Sequence, residues 1–162
     1  MEKNAYFDND NFYLKKHNLL FLNIPKVAST SLWLLSLQSQ GIHQIPDSNK
    51  LRRFRQDYIK TSLLHKHPTI NKIAFVRNPF SRLVSVYKDK IEGNNQRFVS
   101  ENNLNRSMSF EDFVDFVLKE EDHNCDKHIR SQFTFLFDHL GRAVPDYVGR
   151  LENFKNDLSE VA

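Results

Sequence analysis

Lys26 stands three residues ahead of three consecutive hydroxyl side chains, Ser29, Thr30 and Ser31. One apolar run, Leu19 to Leu22, leads into this stretch and another, Leu32 to Leu37, leads away, a layout that predicts strand, tight turn and helix. Free N–H groups at a helix start, a nearby ammonium and short hydroxyls make a cradle for an anion. A second pattern, Arg77-Asn78-Pro79 continuing to Arg82 and Ser85, follows another short apolar run, Lys72 to Val76. An arginine fork grips a phosphate with two parallel bonds, and a serine hydroxyl can add a third. Taken alone, Arg77 reads equally as a strand-end arginine paired with a carboxylate, and Ser85 as an exposed helix serine.

The cradle differs from the loop of nucleotide hydrolases, which needs Gly-x-x-x-x-Gly-Lys-Ser/Thr. Here glycine is absent, the lysine precedes the hydroxyls, and no carboxylate closes a buried strand to hold magnesium. Phosphoryl transfer from a nucleoside triphosphate is therefore disfavoured. The expectation is a transfer without metal, in which protein cations do magnesium's work.

Stepping along the chain, a strand over 19–24 and a helix from about Ser29 to Gln40 place Lys26 at their junction, and Gly41 suits the helix end. Residues 46–50 read as a turn and 51–64 as a helix. A strand over 72–76 delivers Arg77, and Pro79 suits the first turn of the next helix. In that helix Phe80, Leu83, Val84, Tyr87 and Ile91 form a stripe at core-facing spacing. Residues 93–107 read as a surface loop, and Ser109 as the cap of a helix with Phe110, Phe113, Val114 and Val117 on one face. A helix over 126–137, a strand over 146–151 and a helix from Phe154 complete the pattern. Two strand–turn–helix units argue for an α/β fold with a small central parallel sheet flanked by helices.

At 162 residues, with 40% hydrophobic and 27% charged side chains, the chain has the size of one globular domain. The polar residues 1–18 read as an N-terminal arm, and 19–162 as the domain. No apolar stretch approaches the ~20 residues that span a bilayer, and the first residues lack a signal-peptide layout. The single cysteine, Cys125, leaves no internal disulfide and no cysteine-built zinc site. A cytoplasmic location is the default expectation. The net charge of +3 is uneven: residues 50–90 hold eleven Lys and Arg against two acids, Asp57 and Asp89. Without interleaved aromatics or a nucleic-acid motif, that stretch fits a compact anionic ligand better than a nucleic acid.

Pro25-Lys26-x-x-Ser29-Thr30 after one strand, and Val76-Arg77-Asn78-Pro79-x-x-Arg82-x-x-Ser85 after a second, resemble the donor-binding signatures of sulfotransferases. The likeness is nearest to the carbohydrate sulfotransferases, both Golgi-type members and bacterial relatives. It continues through Asp126-Lys127-His128, Gln132 and the block from Asp146 to Glu152, and runs from about Leu19 to Leu158.

The resemblance implies a P-loop-like sulfotransferase fold. It also implies metal-free transfer of sulfuryl from 3′-phosphoadenosine 5′-phosphosulfate (PAPS) to a hydroxyl or amine of a carbohydrate. Carried onto matching positions, Lys26, Val27, Ala28, Ser29, Thr30 and Ser31 would hold the 5′-phosphosulfate, and Arg77 and Ser85 the 3′-phosphate. Lys26 would also stabilise the leaving group. For the general base the family pattern offers His67 first, then His65, then His128, although Ile129 stands where the Golgi-type members carry Trp. Glu152 is a lesser candidate, expected to pair with Arg150 or Arg82. Family chains usually run on past the Gly149-Arg150-Leu151-Glu152 block, so the sequence reads as a minimal protein or as a fragment, for which a Golgi lumen would apply. A nucleotide-dependent kinase and a binding protein without turnover are the alternative readings.

Overall fold

The computed structural model describes residues 10–39, 41, 58–138 and 140–161. Leu19–Leu22 (β2) is buried on both faces, as an apolar run of four in a sheet interior must be. It pairs in parallel with Asn71–Val76 (β4), which pairs in parallel with Tyr147–Arg150 (β5). On the other side Asp10–Leu14 (β1) runs antiparallel to β2, and Tyr58–Lys60 (β3) antiparallel to β1. The order is β3-β1-β2-β4-β5. Four strands thus point one way and β1 alone opposes them.

Three expectations need correction here. The N-terminal arm supplies a sheet strand from residue 10 onward, because Phe12 and Leu14 are buried against β2. Tyr58–Lys60 is strand and Thr61–Lys66 a tight helical turn, where a helix was expected; residues 51–57 and the turn at 46–50 lie outside the described residues. Within 93–107, Gln96–Glu101 forms a helix (α3), since Phe98 and Val99 have a core to enter.

The helix after β2, Ser29–Ser39 (α1), and the helix Pro79–Tyr87 (α2) start where the residue types indicated. Asn78 caps α2 by accepting from the N–H groups of Phe80 and Ser81. Ser109 closes a reciprocal capping box with Asp112 at the head of Phe110–Lys119 (α4). The expected helix over 126–137 shrinks to Phe133–Leu136 (α5), and Phe154–Val161 (α6) packs beside β5.

The expected stripe is buried only in part: Leu83, Tyr87 and Ile91 pack into the core with Val86 and Phe113. Phe80 is 78% exposed and Val84 also faces solvent, while Arg82 and Val86 are buried. Arg82 turns inward because its guanidinium is needed there. Nε donates to the Pro25 carbonyl at 3.0 Å, Nη1 to Arg130 at 2.8 Å and Nη2 to Lys127 at 3.3 Å. Burial lowers its pKa to about 10, an effect that Cys125 and the Asp122 carboxylate partly offset. Two segments about a hundred residues apart in sequence are fastened to one side chain. Arg82→Met should therefore lower stability by about 3 kcal/mol or more in urea denaturation. Arg82→Lys should lose nearly as much, because an ammonium cannot span the three carbonyls. A loss below about 1 kcal/mol in both would assign the fastening elsewhere.

Candidate active site

Because β2 and β4 are parallel and in register, with Leu22 opposite Ala74, the segments that follow them emerge at the same sheet edge. That is where open α/β sheets bind ligands. Pairing alone thus brings Lys26 to Arg77, whose Nη1 donates to the Lys26 carbonyl at 3.3 Å.

The loop between β2 and α1 is held from below by Ile24 and Val27, both fully buried in the core with Leu20, Ala74 and Phe135. Lys26 and Ala28 adopt left-handed backbone, with φ of 69° and 62°. Val27 between them does not, and this alternation is the backbone condition for a concave nest of N–H groups that takes an anion. Glycine would adopt these angles without strain, but this chain uses Lys and Ala. The Ser29 hydroxyl is already committed, donating to the Ile24 carbonyl at 2.9 Å.

Above the loop opens a cavity of about 470 Å³. Lys26, Ala28, Ser29 and Thr30 line one side, Arg77 and Ser85 another, and Asp89, Lys127 and His128 the rim. Gln132 fixes Arg77 from behind: its amide accepts from the Arg77 N–H at 2.9 Å and donates to the Arg77 carbonyl at 2.8 Å. The Asn78 N–H donates to Glu152 Oε1 at 2.8 Å, so Glu152 spends its carboxylate on the backbone. That bond, with Arg77 and Arg150 nearby, holds the Glu152 carboxyl below its ordinary range. A second cavity of about 330 Å³, between Arg77 and Arg150, lies beside it.

His128 reaches the first cavity with its ring ordered. Nδ1 lies 2.6 Å from Asp126 Oδ1, and the same oxygen accepts the His128 backbone N–H at 2.8 Å. Burial pushes the Asp126 carboxyl up, but the two bonds from His128 outweigh it and hold it below the usual range. An Nδ1–H given to Asp126 leaves Nε2 as a lone-pair acceptor.

The structure does not bring His65 or His67 to this cavity. Both are exposed in the turns before β4, and the His65 Nδ1 lies 2.9 Å from the Ser62 carbonyl. His67 precedes the start of β4 while Arg77 follows its end, and six strand residues span about 20 Å. Val27 can offer only its backbone, and Ser31, exposed, is not part of the lining. Sequence reasoning offered Arg82 only as a partner for Glu152, and assigned no role to Asp89, which pairs with Lys26 at 3.1 Å. Asp89 did carry a signal, being one of two acids in a strongly basic stretch.

Fold and cavity together define an α/β protein with a cation-lined cavity at the carboxyl ends of parallel strands, flanked by a histidine paired with Asp126. The model of the sulfotransferase family matches residues 9–162, and the chain belongs to that family. It is 25% identical over 180 residues to human carbohydrate sulfotransferase 8, covering 91% of this chain and 41% of the relative. It is 28% identical over 132 residues to rat carbohydrate sulfotransferase 10, covering 65% of this chain and 37% of the relative. The chain thus spans about two-fifths of the length of these relatives. No solved structure matches it. Among the described residues no helix is long and apolar enough to cross a membrane.

The left-handed backbone at Ala28 yields a direct check. Ala28→Gly should raise stability by about 0.5–1 kcal/mol, read as a higher urea midpoint at unchanged slope. A lower midpoint would mean that the loop does not carry strain at this residue.

Proposed function

We propose that this chain carries the donor site of a sulfotransferase that moves a sulfuryl group from PAPS to a hydroxyl or amine of a carbohydrate. The observation that supports this reading is the convergence of the Lys26 loop, Arg77 with Ser85, and the His128–Asp126 pair on one cavity. The names of the relatives, carbohydrate sulfotransferases 8 and 10, support the acceptor class. Three cations, Lys26, Arg77 and Lys127, two hydroxyls and a helix start fit a nucleotide with phosphates at two positions. The volume lies in the range of small-molecule sites.

When bound, PAPS supplies the activated sulfuryl group and leaves as adenosine 3′,5′-bisphosphate. The nest at residues 26–28 and the first turn of α1 would hold the 5′ end, and the Arg77 fork with the Ser85 hydroxyl the 3′-phosphate. Lys26 Nζ would neutralise charge gathering on the departing oxygen, an electrostatic contribution typically of about 3 kcal/mol. His128 Nε2 takes the proton of the acceptor while Asp126 keeps the ring in the required tautomer. His128 replaces His67 in this role, because reach comes before basicity.

Calorimetry with adenosine 3′,5′-bisphosphate in EDTA tests the donor site. Binding should survive the chelator and exceed that of AMP, and equal affinity for the two would reject the 3′-phosphate site. Lys26→Ala should cut turnover about a hundredfold or more with only modest loss of bisphosphate affinity. Arg77→Ala should instead weaken binding by about 1.5–3 kcal/mol. In labelled sulfate transfer across a glycan panel, His128→Ala should abolish the acid limb of the pH–rate profile, while His67→Ala keeps it. The opposite pattern would return the base to residue 67, and binding without any transfer would leave a nucleotide-binding protein.

A further inference from the structure

We propose that Asp89 is a positioning residue of the transfer. In this role its carboxylate holds the Lys26 ammonium inside the cavity and yields it to the incoming donor anion. This inference rests on the reading of the cavity as the PAPS site.

Asp89 Oδ2 lies 3.1 Å from Lys26 Nζ and 3.2 Å from Lys90 Nζ. The two ammonium groups hold its carboxyl below the ordinary range against the opposing effect of burial. A carboxylate on the wall of an anion site repels the ligand, so its presence there calls for a reason. Stability is a weak one: with Asp89 47% exposed, the pair adds little to folding. Pre-ordering of Lys26 is a stronger one. The lysine has a long flexible stem on a left-handed backbone, and immobilising such a chain at the moment of reaction is costly.

The fold makes a specific provision for this contact. After α2 the helix widens into a π-turn, Lys88–Glu92, a distortion common at functional sites. Gly93 permits it, since a Cβ there would stand 2.5 Å from the Asp89 carbonyl. The same turn buries Lys90, whose ammonium sits 6.0 Å over the Phe98 ring. Lys90 is what makes the exchange feasible. When Lys26 leaves for a donor oxygen, Asp89 keeps a buried cationic partner, and neither carboxylate nor ammonium is stranded.

A placeholder of this kind opposes binding and favours turnover, so its removal moves the two quantities in opposite directions. In Asp89→Asn, adenosine 3′,5′-bisphosphate should bind about three- to tenfold more tightly by calorimetry, because a like charge is gone. Sulfate transfer per enzyme should fall about tenfold or more as Lys26 loses its aim. Asp89→Glu should restore transfer to within about threefold, since the carboxylate still reaches both lysines. In Lys90→Met, Asp89 has Lys26 alone, so bisphosphate affinity should fall below that of the unaltered chain. Thermal melting confirms that each variant folds, and if Asp89→Asn does not, Asp89→Glu and Lys90→Met carry the test. An unaltered chain that binds the bisphosphate, with Asp89→Asn no tighter or Lys90→Met no weaker, overturns the role of Asp89 and leaves the donor site standing. An unaltered chain that fails to bind the bisphosphate rejects the donor reading, and the placeholder with it.

Discussion

A guanidinium taken out of water keeps its five donors and must find acceptors for them inside the protein. Arg82 finds the carbonyls of Pro25, Lys127 and Arg130, and the rest of the site is arranged around that solution. Pro25 opens the anion loop, and Lys127 and Arg130 bracket His128. One side chain on α2 thus fixes the floor and the rim of the same cavity at once. The low exposure of Arg82 raises the cost of any other arrangement, because three carbonyls and a charge would all lose their partners together.

Around that centre the site is stitched by backbone bonds more than by charge pairs. Gln132 reads both polar groups of Arg77 as a neighbouring strand would, and Glu152 takes the next N–H along. These contacts aim the Arg77 guanidinium while leaving its charge available. Asp126 bonds the His128 ring, and Asp89 pairs with the Lys26 ammonium. In each case a polar side chain that would not itself touch a reacting atom orders one that would, which is how preorganised sites avoid rearrangement during reaction.

Much of this was legible along the chain. The buried run of β2, the Pro79 start of α2 and the Ser109 cap of α4 are local chemistry, and each element appears where its residues require it. Elements whose form depends on distant partners were less legible. Tyr58–Lys60 is strand because β1 offers it an edge, and 96–101 is helical because a core accepts Phe98 and Val99. The helix expected over 126–137 is mostly turn because its carbonyls serve Arg82 and the Arg130 guanidinium binds the Asp122 and Cys125 carbonyls. The α2 stripe held at Leu83, Tyr87 and Ile91 but misled at Phe80 and Val84, because periodicity weighs apolarity and passes over a buried arginine.

By itself the sequence determined the family and the strand–loop–helix units, and it singled out Lys26, Arg77 and Ser85, since these rest on residue type at short spacing. Tertiary structure decided which histidine meets them. His67 and His128 are equally plausible as imidazoles, but β4 carries the chain away from His67 for its whole length before it reaches Arg77. The fold around Arg82, in contrast, returns His128 to the Lys26 loop across about a hundred residues of chain. Tertiary structure also gave Asp89 its place against Lys26: the carboxylate stands on the widened turn Lys88–Glu92, which packs on Phe98 through Lys90.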